Sequence, residues 1–186
     1  MATVTKKPWT AEELSRLPEG WRYEIDQGEL VIMAPAGFEH NDVTTEIATR
    51  LRQFAKEREL GKVLANELGV LLRRDPDTLR APDVAFYSND RLARILDRKG
   101  FPDVPPDLAI EVHDRSEPAL TRKIQQYLEA GVRAVWVVDL EARSLTRHAP
   151  GEPPRTWSSP EAVIEEPVLP GFSCRLGELF GEIQAS

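Results

Sequence analysis

Asp83 and Glu111 are the residues of this chain whose surroundings most call for a chemical explanation. Glu111 stands inside DLAIEVHD (107–114). A strand there puts Leu108, Ile110 and Val112 on one side and Ala109, Glu111 and His113 on the other. The equally apolar AVWVVD follows at 134–139, so the strand is expected near the middle of a sheet. Asp83 lies in RAPDVAFY (80–87), with small Ala81 and Ala85 on its face. If the two strands are neighbours, the carboxylates share one sheet face. Ionised carboxylates about 4 Å apart repel by ~4 kcal/mol at an effective dielectric of about 20, so such a pair shares a proton, binds a cation or lies in water. A hard divalent ion, Mg2+ or Mn2+, takes oxygen ligands of this kind together with carbonyls and waters. Spacing leaves a second reading equally open, in which Asp83 caps a turn and Glu111 pairs with an arginine at the strand end.

Two further charged residues bear on the same question. Glu24 faces opposite to Tyr23 and Ile25, and by itself reads as the polar face of an edge hairpin. Lys123 falls at the edge of the helical stripe Leu120, Ile124, Tyr127 and Leu128, away from Arg122 and Glu129. Such a lysine either snorkels to solvent or runs its stem along the core and offers its ammonium near the strand ends.

The elements that must position these groups follow from pattern. Thr10 and Glu13 have capping-box spacing for a short helix over 10–16 that Pro18 stops. WRYEIDQGELVIMAP (21–35) reads as a hairpin over about 21–34 turning at Gln27-Gly28. Val43, Ile47, Leu51, Phe54 and Ala55 predict a helix over 41–58, ended by Gly61. Strands are expected over 63–72 and 80–87, with RRDPDT as the turn between them, and a short helix over 91–96. A helix over 118–130 ends at Gly131, and strands at 134–139 and 144–148 pair back on each other. The Pro-rich 149–171 reads as a wrapping loop, and LGELF as a closing helix. Short turns between neighbours plus one helical crossover imply an α/β (α+β) architecture, a mixed sheet flanked by helices.

With 186 residues, 41% apolar and 30% charged, the chain is expected to be one domain with a proper core, not a disordered polymer. No segment approaches the length of apolar run that a membrane span needs, and MATVTKKPW has no apolar signal-like core. Cys174 has no second cysteine to pair with, which fits a reducing cytoplasm. The chain lacks CxxC, HExxH and GxSxG, so zinc-site and serine-nucleophile chemistry have no motif here. A net charge of −7 argues against gripping nucleic acid by bulk charge. Two runs could still gather a basic face: Arg73, Arg74 and Arg80, and Arg91, Arg94, Arg98 and Lys99. The alternative for either run is an ordinary solvated surface.

Taken in order, PDVAF, LAIEV, a helix with Lys and Tyr, and YLEAGVRAVWVVDLEAR resemble the Uma-two family of endonucleases in the PD-(D/E)XK superfamily. YEIDQGELVIMAP, the following histidine and VLPGF are similar to that family too, so the resemblance runs from about residue 9 to 181. It implies a restriction-endonuclease-like domain over 1–186, with core 41–148 and C-terminal wrap 149–186. It also implies divalent-metal-dependent hydrolysis of phosphodiester bonds in nucleic acid, DNA above all, commonly by a homodimer. On this chain Asp83 and Glu111 become metal ligands, with the Val112 carbonyl as a third. The superfamily commonly has a lysine two residues after the second acid, where this chain has His113; the family pattern puts the lysine at Lys123. Glu24 matches the acid of the family's hairpin, and His40 its histidine, for which a loop or capping role is equally open. A non-cutting scaffold that binds nucleic acid or protein is the principal rival, and a hydrolase of small phosphate substrates is the third reading.

Overall fold

The computed structural model describes residues 7–17, 22–65, 68–114 and 118–181. Helix α1 (Ala11–Leu14) begins at Thr10, whose side chain accepts the Glu13 N–H while the Glu13 carboxylate accepts the Thr10 N–H. This is the expected capping box; the Pro18 that was to end the helix lies outside the described residues. Strands β1 (Arg22–Asp26) and β2 (Glu29–Met33) form the predicted hairpin. Gln27 and Gly28 turn it with φ of 51° and 85°, the left-handed pair that a two-residue hairpin loop requires. Helix α2 (Phe38–Glu57) buries Val43, Ile47, Leu51 and Ala55 as one stripe. It starts three residues before the predicted Asn41, whose side chain instead donates back to the carbonyls of Ala36 and Gly37. It also ends without Gly61. Glu59 takes the left-handed position (φ 54°), and Gly61 opens the next strand, where a Cβ would meet the Tyr87 carbonyl at 2.0 Å.

The two strands predicted at 63–72 and 80–87 are each divided between two sheets. The first becomes β3 (Gly61–Ala65) and β4 (Val70–Arg73); the second becomes β5 (Thr78–Arg80) and β6 (Val84–Ser88). Ala81, Pro82 and Asp83 form the break between β5 and β6. Proline has no N–H to give a ladder, so the chain leaves one sheet there and enters the other. Asp83 therefore sits just before a strand and not within one. After α3 (Asn89–Leu92) come β7 (Leu108–His113), α4 (Pro118–Glu129), β8 (Ala134–Asp139) and β9 (Ser144–His148). The Pro-rich stretch is more than a loop. It contributes β10 (Arg155–Trp157) to the edge of β9, and β11 (Val163–Glu166), which pairs with β12 (Phe172–Arg175) before α5 (Leu176–Leu179).

The strand order is β10-β9-β8-β7-β6-β3 in the larger sheet and β2-β1-β5-β4 in the smaller. β7 and β8 are parallel, as a crossover through α4 requires, and β6 runs antiparallel to β7. The mixed α/β architecture expected from pattern is the one observed. Alternation along β7 sorts its side chains. Leu108, Ile110 and Val112 pack with Val43, Ile47 and Leu51 of α2, while Ala109 packs with Tyr127 of α4. Glu111 is on the α4 face for the same reason. A separate small core of Ala11, Leu14, Ile25, Leu71 and Leu79 underlies the smaller sheet.

Candidate active site

A cleft of about 560 Å³ opens where the two sheets meet, lined by Arg22, Glu24, Arg80, Asp83, Glu111 and Lys123 together with His40 and Val112. Three features of the sequence converge on it. Pairing of Val84 with Ile110 places Asp83, at the chain break, beside Glu111. The smaller sheet presents Arg22, Glu24 and Asp26, alternate residues of β1, toward α4. Lys123 and Tyr127, one turn apart on α4, reach down to the same carboxylate.

The contacts are short. Glu111 accepts the Lys123 ammonium at 2.8 Å on Oε2 and the Tyr127 hydroxyl at 2.7 Å on Oε1. Lys123 Nζ also lies 2.8 Å from Glu24 Oε1, so one ammonium bridges two carboxylates. Glu24 further accepts the Ala81 N–H (2.9 Å) and Arg80 Nη1 (2.8 Å). Arg80 donates in turn to Gln126 at 2.8 Å and pairs with Asp26 at 3.0 Å. Asp83 accepts Arg22 Nη2 at 3.1 Å on Oδ1 and the Val112 N–H at 2.8 Å on Oδ2, which His40 Nε2 approaches to 3.4 Å.

Four carboxylates (Glu24, Asp26, Asp83 and Glu111) thus face three largely buried permanent cations, Arg22, Arg80 and Lys123. The shortage falls on Glu111. Burial and the neighbouring Asp83 and Glu24 charges push its carboxyl up to about 7 against the pull of Lys123. Burial would raise Glu24 as well, but Lys123 and Arg80 hold it below the usual carboxylate range. Asp83 is likewise held low, its burial outweighed by the His40 and Val112 hydrogen bonds. Lys123 is only 12% exposed, and burial works against its charge. Glu111 and Glu24 together outweigh that and hold it above the ordinary lysine value. His40 is raised by its hydrogen bond to Asp83, with burial opposing.

These groups suit a hard cation in one particular way. Asp83 and Glu111 supply carboxylate oxygens to one cleft. Beyond Ile110 the β6 ladder has ended, so Val112 turns its backbone to that side, where its N–H meets Asp83. Strand geometry directs the carbonyl of the same residue to the same side. Among the described residues no group of three or more His, Cys, Asp or Glu side chains is placed to hold a metal ion. An ion here would rest on two carboxylates, a carbonyl and its own waters, the arrangement that Mg2+ favours over an all-protein cage.

Asp83, Glu111, Val112, Lys123, Glu24 and His40 all line this one cleft. The β1–β2 hairpin is at the edge of its sheet, but Glu24 is buried on β1, between β2 and β5, and is not part of a solvent-facing polar face. Lys123 does not snorkel to solvent. The two arginine runs form no common basic face at the cleft: only Arg80 lines it, and Arg91 binds the carbonyls of Pro105, Pro106 and Gly131. Sequence reasoning missed Arg22 and Gln126, read Arg80 only as part of a basic run, and read Tyr127 only as part of an apolar stripe. The signal for Arg22 was present in its period-two spacing with Glu24 and Asp26. That pattern reads as solvent-facing until α4 covers it.

No helix is long and apolar enough to cross a membrane among the described residues. Comparison with curated proteins finds no match. Among solved structures, the chain is similar to a protein of Anabaena variabilis titled "a putative nuclease belonging to DUF820". The two superpose with a TM-score of 0.78 at 19% identity, covering 94% of this chain and 98% of that one, which establishes a shared fold. The model of the Uma2 family, described as "Putative restriction endonuclease", matches residues 11–177, nearly the whole chain. The chain belongs to the Uma2 family.

Proposed function

We propose that the protein is a divalent-metal-dependent endonuclease hydrolysing phosphodiester bonds in nucleic acid, DNA in the first place, with Mg2+ or Mn2+ held by Asp83, Glu111 and the Val112 carbonyl. The observation that supports this best is the meeting of Asp83 and Glu111 in one cleft with the Lys123 ammonium 2.8 Å from Glu111. A bound ion would supply Lewis acidity toward the phosphate and a water of lowered pKa. The chain's own groups have distinct tasks. Arg22 and the Val112 N–H fix the plane of the Asp83 carboxylate, and the Tyr127 hydroxyl fixes that of Glu111. Lys123, held protonated by two carboxylates, keeps a positive charge where a phosphate gathers negative charge. It is too basic to act as a proton acceptor near neutrality. Glu24, anchored by Arg80, holds the ammonium in place. Lys123 thereby brings an ammonium from α4, where β7 has His113 in place of a lysine. Cutting both strands of a duplex would bring two such clefts together in a homodimer.

The direct test incubates supercoiled plasmid and single-stranded circular DNA with the protein in Mg2+, Mn2+ or EDTA. Metal-dependent nicking that Asp83→Asn and Glu111→Gln both abolish is the expected result. One observation favours a second reading: all four oxygens of Asp83 and Glu111 already have protein donors. Tight DNA binding with no cleavage in any metal would make the protein a nuclease-like scaffold.

A further inference from the structure

Of the two arginine runs in the sequence, the one over 89–100 takes no part in the cleft. It holds four cations against two acids, in a chain whose net charge is −7. Arg91 anchors it. Its guanidinium meets Asp107 at 3.1 Å and donates to the carbonyls of Pro105 (2.6 Å), Pro106 (2.8 Å) and Gly131 (2.7 Å). The run is thereby tied to the start of β7 and to the turn after α4. This is the end of β7 away from Glu111, about 13 Å along an extended strand.

Beyond Arg91 the run is open to solvent. Arg94, Arg98 and Lys99 are exposed, and Leu96 among them is 96% exposed. Among the described residues none of these three cations pairs with a carboxylate, and Asp97 instead accepts the Lys99 backbone N–H at 2.8 Å. Arg133 is also exposed, 3.4 Å from the Asp107 oxygen that Arg91 already holds. Burial lowers the Arg91 guanidinium from its ordinary value, and the charges of Arg133 and Arg94 add to this against Asp107, so the three arginines are neighbours. The cleft differs. There Arg22 is held by Asp83, Arg80 by Glu24 and Asp26, and Lys123 by Glu24 and Glu111. A phosphate chain needs lysines or arginines free to replace its counterions, and those stand outside the cleft.

We propose that Arg94 and Arg133, with Arg98 and Lys99 of the loop that follows α3, form a docking surface for the phosphate backbone of nucleic acid, separate from the cleft. The proposal takes its partner from the nuclease reading and adds where an acidic protein grips a polyanion. Phosphate contacts carry no sequence information, so this surface supplies affinity without base preference. Its binding falls steeply with salt, by a slope of about 0.9 for each phosphate neutralised.

The test is fluorescence anisotropy of the full chain with a labelled blunt DNA duplex across a salt series, in EDTA so that nothing is cut. Arg94→Glu/Arg98→Glu should weaken binding at least tenfold at low salt and reduce the salt slope by roughly 2. Arg52→Glu/Lys56→Glu makes the same change of charge at exposed positions of α2 and should leave the slope as in the wild type. Equal losses in the two variants, an unchanged Arg94→Glu/Arg98→Glu variant, or no binding by the wild type would overturn the proposal. So would tighter binding to phosphatidylserine vesicles than to DNA, lost in Leu96→Ser, because the exposed loop would then belong to a membrane surface. Plasmid cleavage is scored separately. Metal-dependent nicking with a neutral Arg94→Glu/Arg98→Glu removes the docking surface alone. The expected change of slope without nicking in any metal supports the surface and removes the nuclease reading.

Discussion

At the start of β7, Asp107 accepts the Ser88 N–H at 2.7 Å and faces the guanidinium groups of Arg91 at 3.1 Å and Arg133 at 3.4 Å. Toward the other end of the same strand, Glu111 shares a single ammonium with Glu24 and has Asp83 as a further anionic neighbour. Both acids are buried. The first faces two guanidinium groups and does not line the cleft; the second is short of positive charge and does. A buried acid alone is therefore no sign of a site. What marks one is an unbalanced acid with room beside it for something positive.

The largest expected effect of breaking that contrast is on cleavage. Glu111→Gln or Asp83→Asn should lower the initial rate of metal-dependent plasmid nicking by at least about a thousandfold. Asp107→Ala should leave metal affinity and nicking per folded molecule unchanged. It should instead cost about 3 kcal/mol of stability in urea, because Arg91 and the Ser88 N–H lose a buried anion. If Asp107→Ala were stable but inactive, the two ends of β7 would have exchanged roles.

A third prediction uses pH. Folded Glu111 keeps its proton up to about 7, while the unfolded chain releases it near the ordinary value of 4.5. Between those values the folded state binds more protons, so stability falls as pH rises through that window, by on the order of 3 kcal/mol. Glu24 and Asp83, held low, lose their contributions only on the acid side of their ordinary values of 4.5 and 3.8. His40 adds a loss of the same sign above 6.5, so the Glu111 share is the difference between wild type and Glu111→Gln. A variant with the same pH slope as wild type would show that Glu111 titrates normally. The smallest effect lies far from the cleft: Thr10→Ala removes the α1 capping box and should cost about 1 kcal/mol, measured as a shift in urea midpoint.

How much of this the sequence revealed depended on the range of the forces involved. Alternation in 107–114 placed Glu111 on the face away from Leu108, Ile110 and Val112, and the expected pairing of the two strands brought in Asp83. The turn at Gln27-Gly28 and the stripe of α2 were legible for the same reason. The division of 63–72 and 80–87 between two sheets was not. Period-two pattern continues across Ala81-Pro82-Asp83, and only the crossing of the two sheets shows where the ladder stops. Arg22, Arg80 and Tyr127 were hidden for a related reason: charge on β1 and β5 looks solvated until α4 closes over it. The resemblance to a family supplied Lys123 and Glu24 to the site, where spacing had left snorkelling and an edge hairpin as readings.

The most direct measurement of whether the cleft is a metal site is calorimetric titration of Mn2+ into the wild-type protein and into Glu111→Ala. We expect heat from a saturable site in the wild type and its loss in Glu111→Ala, with Asp107→Ala binding as the wild type does. Equal Mn2+ affinity in wild type and Glu111→Ala would contradict the assignment of Glu111 as a metal ligand.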